Sequence, residues 1–315
     1  MFSEGYGKKD EGAIISSRWE RGPAEESSVA ALPSLLSIRE KDVRMLNPVE
    51  LTREIIQFHD GKIEHVQDKI VTEYPVTIKI NGDEFATMVC SPQYIEDMVV
   101  GFLASEGVIR RYEDIDDIWF EQKAGFVHIK TKKMNEFYQR FHSKRYITSC
   151  CGKSRQSFYF INDAKTAKVM SDRHVTLSFE DCFRLMNLMQ NSADIFQQTG
   201  GVHNAALCNK SGLVISRMDI GRHNALDKIY GYCLKNDISL AGKIIVFSGR
   251  ISSEILLKVA KIGCEVVLSK SAPTKLALQL ADELGITTVG FIRHHSLNVY
   301  THPSRIEELT EEQNN

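Results

Sequence analysis

The sequence has no hydrophobic run that approaches the roughly 18 residues needed to cross a bilayer. Its most apolar window, Met98–Ala104, is short and typical of a buried helix. No apolar stretch follows Met1–Asp10, so a secretory signal is not expected there. These absences predict a cytoplasmic protein that does not enter a membrane.

A strong net charge and an even set of cysteines are also missing. The net charge of −2 excludes a globally basic nucleic-acid binder, so an anionic ligand needs a local basic patch. The seven cysteines are an odd number scattered through apolar segments, unlike a secreted disulfide framework. In a reducing compartment most of them are expected to be small buried core residues, including Cys182, Cys208, Cys233 and Cys264.

The motifs of two enzyme classes do not occur. No Gly-x-Gly-x-x-Gly follows a strand pattern, which argues against a nicotinamide enzyme. A zinc hydrolase of the deaminase type needs His-x-Glu and Pro-Cys-x-x-Cys. His203 is followed by Asn204 and Ala205, and no Pro-Cys-x-x-Cys exists. A zinc-dependent deaminase-like hydrolase is therefore only the enzyme alternative, and no intrinsic metal is expected.

What the sequence does contain predicts an α/β protein with two domains and polar tails. Residues 1–48 are polar and aperiodic, which predicts a disordered tail, with order beginning near Val66–Tyr74. Residues 49–143 predict a small α+β domain with a hairpin turn at Asn81-Gly82 and a helix opened by Ser91-Pro92. Residues 144–157 predict an exposed cysteine loop, 158–306 a second domain, and 307–315 a polar tail.

Strand and helix patterns alternate in the second domain. The predicted strands are Leu213–Met218, Lys243–Phe247, Glu265–Ser269 and Thr287–Ile292, and the predicted helices begin after Ser178 and span Asn224–Lys235, Ser253–Ile262 and Thr274–Leu284. Such alternation favours a mostly parallel sheet with helices on both faces. Ligands of such sheets bind at the carboxyl ends of the strands.

Cys150 and Cys151 are the sharpest local signal for chemistry. Basic side chains flank the pair with no acidic residue between them: Lys144, Arg145, Lys153 and Arg155. Because nearby cations lower the pKa of a thiol, the pair can act as a thiolate that takes and passes on the outer sulfur of a persulfide. Packing and half of a metal site are the alternatives, and no second Cys/His cluster at zinc-like spacing supports the metal.

Basic residues also follow the predicted strands, namely Arg222, Arg250, Lys270 and Arg293. At one edge of a sheet their charges would suit a pyrophosphate. Arg222 in addition opens a helix, whose amino terminus favours phosphate. An ion pair between Asp219 and Arg222, and a solvated basic loop around Arg293, are the open alternatives.

Six stretches together resemble the formate dehydrogenase accessory sulfurtransferase family, the FdhD/NarQ family. They are Cys90-Ser91-Pro92, Gly101–Gly107, Thr199–His203, Asp219–Lys228, Ser248–Glu254 and Val299–Pro303, in the family's order over about residues 66–306. The resemblance implies a sulfur carrier between a cysteine desulfurase and the molybdenum bis-pterin guanine dinucleotide cofactor of formate dehydrogenase. It also implies a cytidine-deaminase-like, three-layer second domain.

The resemblance implies sulfur transfer by Cys150 and Cys151. It places cofactor binding at Phe291, Ile292, Arg293, His294, His295 and Ser296, with Arg222 and Arg250 as expected neighbours at the strand ends. Family members often carry Cys-x-x-Cys where this chain has Cys-Cys-Gly-Lys, so the persulfide cysteine stays open, with Cys150 preferred. A cofactor-binding chaperone without sulfur transfer is the other alternative, and a homodimer is compatible with the sequence.

Overall fold

The computed structural model describes residues 48–132, 167–171, 174–192 and 199–312, and the backbone of Arg145–Ile147. The strands in these residues are β1 (Glu50–His59), β2 (Lys62–Val71), β3 (Tyr74–Ile80), β4 (Asp83–Cys90), β5 (Ile115–Glu121), β6 (Phe126–Thr131), β7 (Arg145–Ile147), β8 (His203–Asn209), β9 (Gly212–Asp219), β10 (Ile244–Phe247), β11 (Val266–Ser269), β12 (Thr287–Arg293) and β13 (Ser296–Thr301). The α-helices are α1 (Ile95–Ser105), α2 (Phe179–Asn191), α3 (Arg222–Lys235), α4 (Ser253–Ile262), α5 (Lys275–Leu284) and α6 (Glu307–Glu312). None of these described helices has the length and apolar character required to cross a membrane.

β1 and β2 form a two-stranded antiparallel ribbon of their own. The turn between them is Asp60-Gly61, and both residues have positive φ, 48° and 79°, as a tight hairpin turn requires. Order therefore begins earlier than Val66, where the sequence predicts it. Neither face of the ribbon is buried, so its residues lack the apolar alternation by which strands are identified.

The N-terminal sheet has the strand order β5-β6-β3-β4-β7. The predicted hairpin is confirmed, because β3 and β4 pair through Asn81-Gly82, with φ of 51° and 97°. The predicted loop over 144–157 is wrong at its first residues, since Arg145–Ile147 pairs with β4 as the parallel edge strand β7. Three residues are too few to show a period, which is why the sequence does not reveal this strand.

Helix α1 begins later than predicted. The sequence places Pro92 in its first turn, whereas the helix starts at Ile95 after Tyr94, which has a φ of 53°. Ser91 does not cap α1, because its hydroxyl accepts a hydrogen bond from the Ile220 amide at 3.1 Å. A contact 129 residues away in sequence thus overrides the local capping signal.

The C-terminal sheet has the order β13-β12-β11-β10-β8-β9 and confirms an α/β architecture. It is mixed rather than mostly parallel. β10–β11 and β11–β12 pair parallel, but β8–β9, β8–β10 and β12–β13 pair antiparallel. The glycine-rich stretch before His203 leads into β8, a strand that the sequence does not predict. β8 lies between β9 and β10 and runs antiparallel to both.

Helices cover both faces of the C-terminal sheet and make three layers. On one face, α2 packs with residues such as Ala206, Val246 and Leu268. On the other face, α3, α4 and α5 share a core with the alternate strand residues, such as Leu207 and Phe247. The same core extends through α1 to the N-terminal sheet, where Ile78 and Ile129 are buried. The two sheets therefore share one hydrophobic core.

Two glycines allow the close crossing of α1 and α3. A Cβ atom on Gly101 would lie 1.9 Å from the Asp227 carbonyl oxygen, and one on Gly231 would lie 1.8 Å from the Asp97 carbonyl oxygen. No side chain fits at these distances, so each helix backbone packs directly on the other. This crossing joins the N-terminal sheet to the C-terminal one.

Candidate functional site

The carboxyl ends of β9, β10, β11 and β12 lie at one edge of the C-terminal sheet. β9 and β10 both run antiparallel to β8, so they point the same way, and β11 and β12 continue in parallel from β10. The amino end of β8 lies at this edge as well, since His203 pairs with Asp219 at the end of β9. The basic residues that follow these strands are therefore gathered at one edge, as their sequence positions predict.

A cavity of about 330 Å³ lies at this edge, beside α2. We call it the α2 cavity. Its lining residues are Phe183, Met186, Asn187 and Gln190 of α2, with Lys270, Ile292, Arg293, His294 and His295 from the ends of β11 and β12. Four of the residues from the strand ends carry basic side chains, and no carboxylate is among the described lining residues. The cavity thus suits an anionic group.

The β12–β13 turn shapes one wall of the cavity. Arg293 pairs with Ser296 across the turn, and His294 adopts a φ of 45° at its tip. The hydroxyl of Ser296 donates to the Arg293 carbonyl oxygen at 3.3 Å, so Ser296 supports the turn. Ile292 is buried in the core and holds the wall from behind, whereas Arg293, His294 and His295 are exposed.

Phe291, Arg222 and Arg250 lie outside the described lining of the α2 cavity. Phe291 is exposed, has a φ of 53°, and has its ring 5.8 Å from the Arg293 guanidinium. Arg222 is the first residue of α3, and Arg250 is an exposed residue that precedes α4. The structure therefore brings Arg293, His294 and His295 together with Lys270, and places the other two arginines elsewhere on the same edge.

Arg222 does not line the α2 cavity, and its positive charge acts on His203 and His223. Burial lowers the pKa of His203, and the Arg222 cation lowers it further. Burial also lowers the pKa of His223, although its Nε2 lies 3.1 Å from the Glu254 carboxylate. Both imidazoles are consequently biased toward the neutral form.

Asp219 belongs to a buried polar network that the sequence does not predict. Its carboxylate lies 2.6 Å from Lys228 Nζ, and both side chains are fully buried. The amides of Ser91 and Gly221 also donate to it, at 3.0 and 2.8 Å. Asn224 Nδ2 donates to it at 2.8 Å. The alternative of an Asp219–Arg222 ion pair is wrong, because the cation that neutralises Asp219 is Lys228.

The network connects two of the six stretches that resemble the family. Cys90-Ser91-Pro92 and Asp219–Lys228 are far apart in sequence, but Ser91 and Asp219 are hydrogen bonded. A buried lysine is costly unless it is paired, so Asp219 and Lys228 are each required by the other. Their role is to fix the start of α3, where Arg222 and His223 lie half-buried at the strand-end edge.

Cys150 and Cys151 lie outside the described residues. The cysteines that are described, Cys90, Cys182, Cys208, Cys233 and Cys264, are all buried, as predicted for the last four. Burial raises the pKa of Cys90, Cys182 and Cys208 to about 12 and that of Cys233 to about 11. Burial raises the pKa of Cys264 as well, so these five thiols are protonated and inaccessible near neutral pH. Within the described ranges no three His, Cys, Asp or Glu side chains group as metal ligands.

The α2 residues of the cavity are the part of the site that sequence reasoning missed. Phe183, Met186, Asn187 and Gln190 have the i, i+3, i+4, i+7 spacing of one helix face. That period was available from the sequence, but nothing local shows which end of the sheet this face reaches. The tertiary position of α2 decides it.

The chain is similar to one protein family over most of its length. The model of the FdhD/NarQ family matches residues 71–307. Sulfur carrier protein FdhD of Shouchella clausii is 58% identical over 260 residues, which cover 82% of this chain and 97% of that protein. Sulfur carrier protein FdhD of Bacillus subtilis is 52% identical over 264 residues, which cover 84% of this chain and 100% of that protein.

A solved structure shares the fold. It is a crystal structure described as a formate dehydrogenase accessory protein from Desulfotalea psychrophila. The TM-score is 0.69 at 25% sequence identity, and the match covers 82% of this chain and all of the other.

Proposed function

The chain belongs to the FdhD/NarQ family, and from that premise we propose that it is a sulfur carrier in the maturation of formate dehydrogenase. The observation that carries the proposal is the match to relatives named sulfur carrier proteins over nearly their whole length. The accessory role comes from the described role of the Desulfotalea psychrophila protein. The finer steps below rest on the residues of this chain.

In the loading step, a cysteine desulfurase supplies the sulfur as a persulfide on its own cysteine. The thiolate of Cys150 or Cys151 attacks the outer sulfur, a new S–S bond forms, and the desulfurase cysteine leaves as a thiolate. The step exchanges one S–S bond for another and needs no external oxidant. The buried state of the five described cysteines supports the assignment, because it leaves the loop pair as the reactive thiols.

In the delivery step, the outer sulfur passes to the molybdenum bis-pterin guanine dinucleotide cofactor, which is the acceptor substrate. The acceptor supplies the electron pair for its new bond to sulfur, and the cysteine leaves as a thiolate. The α2 cavity supports this part of the proposal, since Lys270 and Arg293 suit the pyrophosphate of such a cofactor. The chain's carboxylates and cations nearly cancel overall, so local charge has to supply the attraction.

Mass spectrometry tests the loading step directly. After incubation with a cysteine desulfurase and cysteine, the protein is expected to gain the mass of one sulfur atom, which reductant removes. Peptide mapping is expected to place that sulfur on Cys150 or Cys151. Sulfur on Cys208 or Cys264, with none on the loop pair, would contradict the proposal.

Substitution of the pair separates a sulfur carrier from a cofactor chaperone. Cys150→Ala/Cys151→Ala is expected to abolish formate dehydrogenase activity in cells while binding of guanosine diphosphate persists. The single variants identify the persulfide cysteine, and Ser149→Ala and Ser154→Ala are matched controls in the same segment. Full activity with both sulfurs absent would favour the chaperone without sulfur transfer.

Calorimetric titration with guanosine diphosphate tests the cofactor seat. Arg293→Ala/His294→Ala is expected to weaken binding, because each lost charged hydrogen bond costs about 1.5–3 kcal/mol, or roughly tenfold to a hundredfold in affinity. Persulfide loading should be unchanged in this variant. Added salt is expected to weaken the wild type, since part of the attraction is Coulombic. Equal affinities of variant and wild type would place the nucleotide elsewhere.

A further inference from the structure

Alternate residues of the N-terminal sheet point away from the hydrophobic core. In β3, Val76 and Ile78 are buried, whereas Thr77 between them is half-buried. β6 has the same pattern, with Val127 buried and His128 half-buried. The sheet therefore has an outer face, formed by the residues that alternate with the buried ones.

Aromatic side chains cluster on this outer face. The Trp119 ring stacks on the His128 ring, with the two centroids 4.7 Å apart and an angle of 4° between the ring planes. The centroid of the Phe126 ring lies 6.0 Å from that of His128. The Lys79 ammonium covers the Phe126 ring, 3.6 Å from its centroid. We call these four residues, Lys79, Trp119, Phe126 and His128, the aromatic face.

The aromatic face is ordered by the sheet itself. Trp119 and His128 are direct partners on β5 and β6, and His128 and Lys79 are direct partners on β6 and β3. His128 Nε2 lies 3.0 Å from a Glu121 carboxylate oxygen, which orients the imidazole ring. Trp119 is nevertheless 43% exposed. An ordered tryptophan loses little conformational entropy on association, and tryptophans are enriched among the residues that dominate protein–protein affinity.

The cysteine pair of the proposed function begins close to this sheet. β7 is an edge strand of the sheet, and Cys150 follows its last residue, Ile147, by three residues. Three residues span at most about 11 Å, so Cys150 lies within that distance of the sheet edge. Any protein that transfers sulfur to Cys150 therefore has to approach this edge.

The width of the sheet fits within one protein–protein interface. The strand order β5-β6-β3-β4-β7 places Trp119 four strand spacings from β7, which is about 19 Å. A typical interface covers about 800 Å² of each partner and is thus roughly 28 Å across. The inner face of the sheet is occupied by the core, so the outer face is the side that is open to a donor bound at β7. Such a donor is wide enough to reach Trp119.

We propose that the aromatic face is the docking surface for the protein that donates the sulfur, with Trp119 as the main contact. The assignment rests on the proposed function, which identifies the donor as a cysteine desulfurase that carries a cysteine persulfide. The α2 cavity, where the acceptor binds in the proposed function, belongs to the C-terminal sheet. Donor and acceptor accordingly use different surfaces of the chain.

Loading by a large and a small sulfur donor tests the docking surface. Persulfide formation on the full chain is followed by mass, either with a cysteine desulfurase and cysteine or with glutathione persulfide, which needs no docking surface. Trp119→Ala is expected to raise the desulfurase concentration that gives half of the maximal loading rate by about tenfold or more. The maximal rate and the loading by glutathione persulfide are expected to be unchanged.

Two further variants and a control accompany this measurement. Trp119→Phe keeps a ring against His128 and is expected to be less affected than Trp119→Ala. Thr87→Arg inserts a long side chain beside Tyr146 of β7 without removing the aromatic stack, and is also expected to raise the half-maximal concentration. Tyr300→Ala is the matched control, because Tyr300 is an aromatic residue, 36% exposed, on an edge strand of the C-terminal sheet. Melting temperatures verify that each variant is folded.

Several results would overturn the assignment. Equal half-maximal concentrations for Trp119→Ala, Thr87→Arg and the wild type would place the donor elsewhere. Equally slow loading of both variants by glutathione persulfide would mean that they act on the cysteines and not on docking. A change in molar mass in solution, with unchanged loading by desulfurase, would assign the face to a second copy of the chain. These results leave the sulfur-carrier function intact, whereas a wild type that neither donor loads would contradict that function and the docking surface together.

Discussion

Among single residues, the buried Asp219–Lys228 pair has the largest expected effect on stability. Asp219→Asn leaves the Lys228 ammonium buried without its counter-ion, which we expect to lower the free energy of unfolding by about 3–5 kcal/mol. Chemical denaturation measures the change. Lys132→Gln is the control, because its ion pair with Asp116 is exposed and such pairs contribute less than about 1 kcal/mol.

A double substitution separates charge burial from loss of packing at the same position. Asp219→Asn/Lys228→Met removes both charges, so it is expected to be more stable than Asp219→Asn alone. If the double variant is the less stable of the two, the unpaired ammonium is not the cause of the loss.

His203 provides a prediction about pH. Burial, and then the Arg222 cation, lower its pKa in the folded protein below the value of about 6.5 in an unfolded chain. The unfolded chain therefore binds more protons just below pH 6.5. The contribution of His203 to the free energy of unfolding is therefore complete above that pH. It falls as the pH drops toward the pKa of the folded protein and is constant at lower pH.

We expect His203→Gln to flatten the dependence of melting temperature on pH between about pH 7 and 5. His203→Gln/His223→Gln should flatten it further, because burial also lowers the pKa of His223. Carboxylates such as Asp181 change the melting temperature at lower pH than the histidines do. Burial opposes ionisation of Asp181, but hydrogen bonds from Arg184 and Ser178 hold its pKa below its ordinary value. A steeper slope in either histidine variant would contradict the assignment.

At this scale the sequence identifies important positions better than it assigns their roles. Asp219 and Arg222 are singled out by their place after a strand, but only the structure shows that Lys228 neutralises Asp219. The partner is nine residues away in sequence and lies nearly two turns into α3, and no short spacing rule connects the two residues. Lys270, in contrast, lies at the edge of the C-terminal sheet where the sequence predicts it, because residues that follow strands of the same direction reach the same edge.

At the scale of elements, the contact between α1 and α3 is the most sensitive to substitution. Gly231→Ala would place a Cβ atom 1.8 Å from the Asp97 carbonyl oxygen, so the helices must separate. We expect a loss of about 3 kcal/mol or more, or a failure to fold, measured by thermal unfolding and soluble yield.

Gly82→Ala is the matched control for this helix contact. Gly82 has a φ of 97°, but no atom lies within 4 Å of the position that a Cβ atom would take, so the substitution tests backbone strain alone, at roughly 1–2 kcal/mol. Similar losses for the two variants would mean that the close helix approach is not what makes Gly231 necessary.

The helices with explicit end signals are the elements that the sequence predicts well. α2 begins after Ser178 as predicted, where Ser178 and Asp181 form a capping box, and Gly263 and Gly285 end α4 and α5 with positive φ. β1 and β7 are missed because the first is exposed on both faces and the second has three residues. Local signals thus locate elements whose ends are capped, and fail where pairing with a distant strand creates the element.

For the whole molecule, the shared core predicts cooperative unfolding. Ile78 of the N-terminal sheet and Phe247 of the C-terminal sheet belong to one cluster, joined through α1 and α3. We expect a single calorimetric transition for residues 48–312, with equal calorimetric and van't Hoff enthalpies. Two separated transitions would show that the regions 49–143 and 158–306 unfold independently, as the two-domain prediction allows.

The direction of the strands is the part of the overall architecture that the sequence cannot supply. Alternation of strands and helices correctly predicts helices on both faces of a sheet. It does not reveal that β8 inserts antiparallel between β9 and β10, because a buried strand has the same apolar composition in either direction. The prediction that the strand ends share one edge is correct despite this error, because β9 runs in the same direction as β10.

The α1–α3 crossing also has a consequence for synthesis on the ribosome. α1 ends at Ser105 and α3 ends at Lys235, so about 130 residues separate the completion of the two helices. At translation rates of about 5–20 residues per second, the apolar side of α1 remains uncovered for roughly 6 to 26 seconds before α3 has been synthesised. During that interval the nascent N-terminal sheet is exposed to aggregation, so a chaperone that holds it until α3 emerges should raise the yield of folded protein.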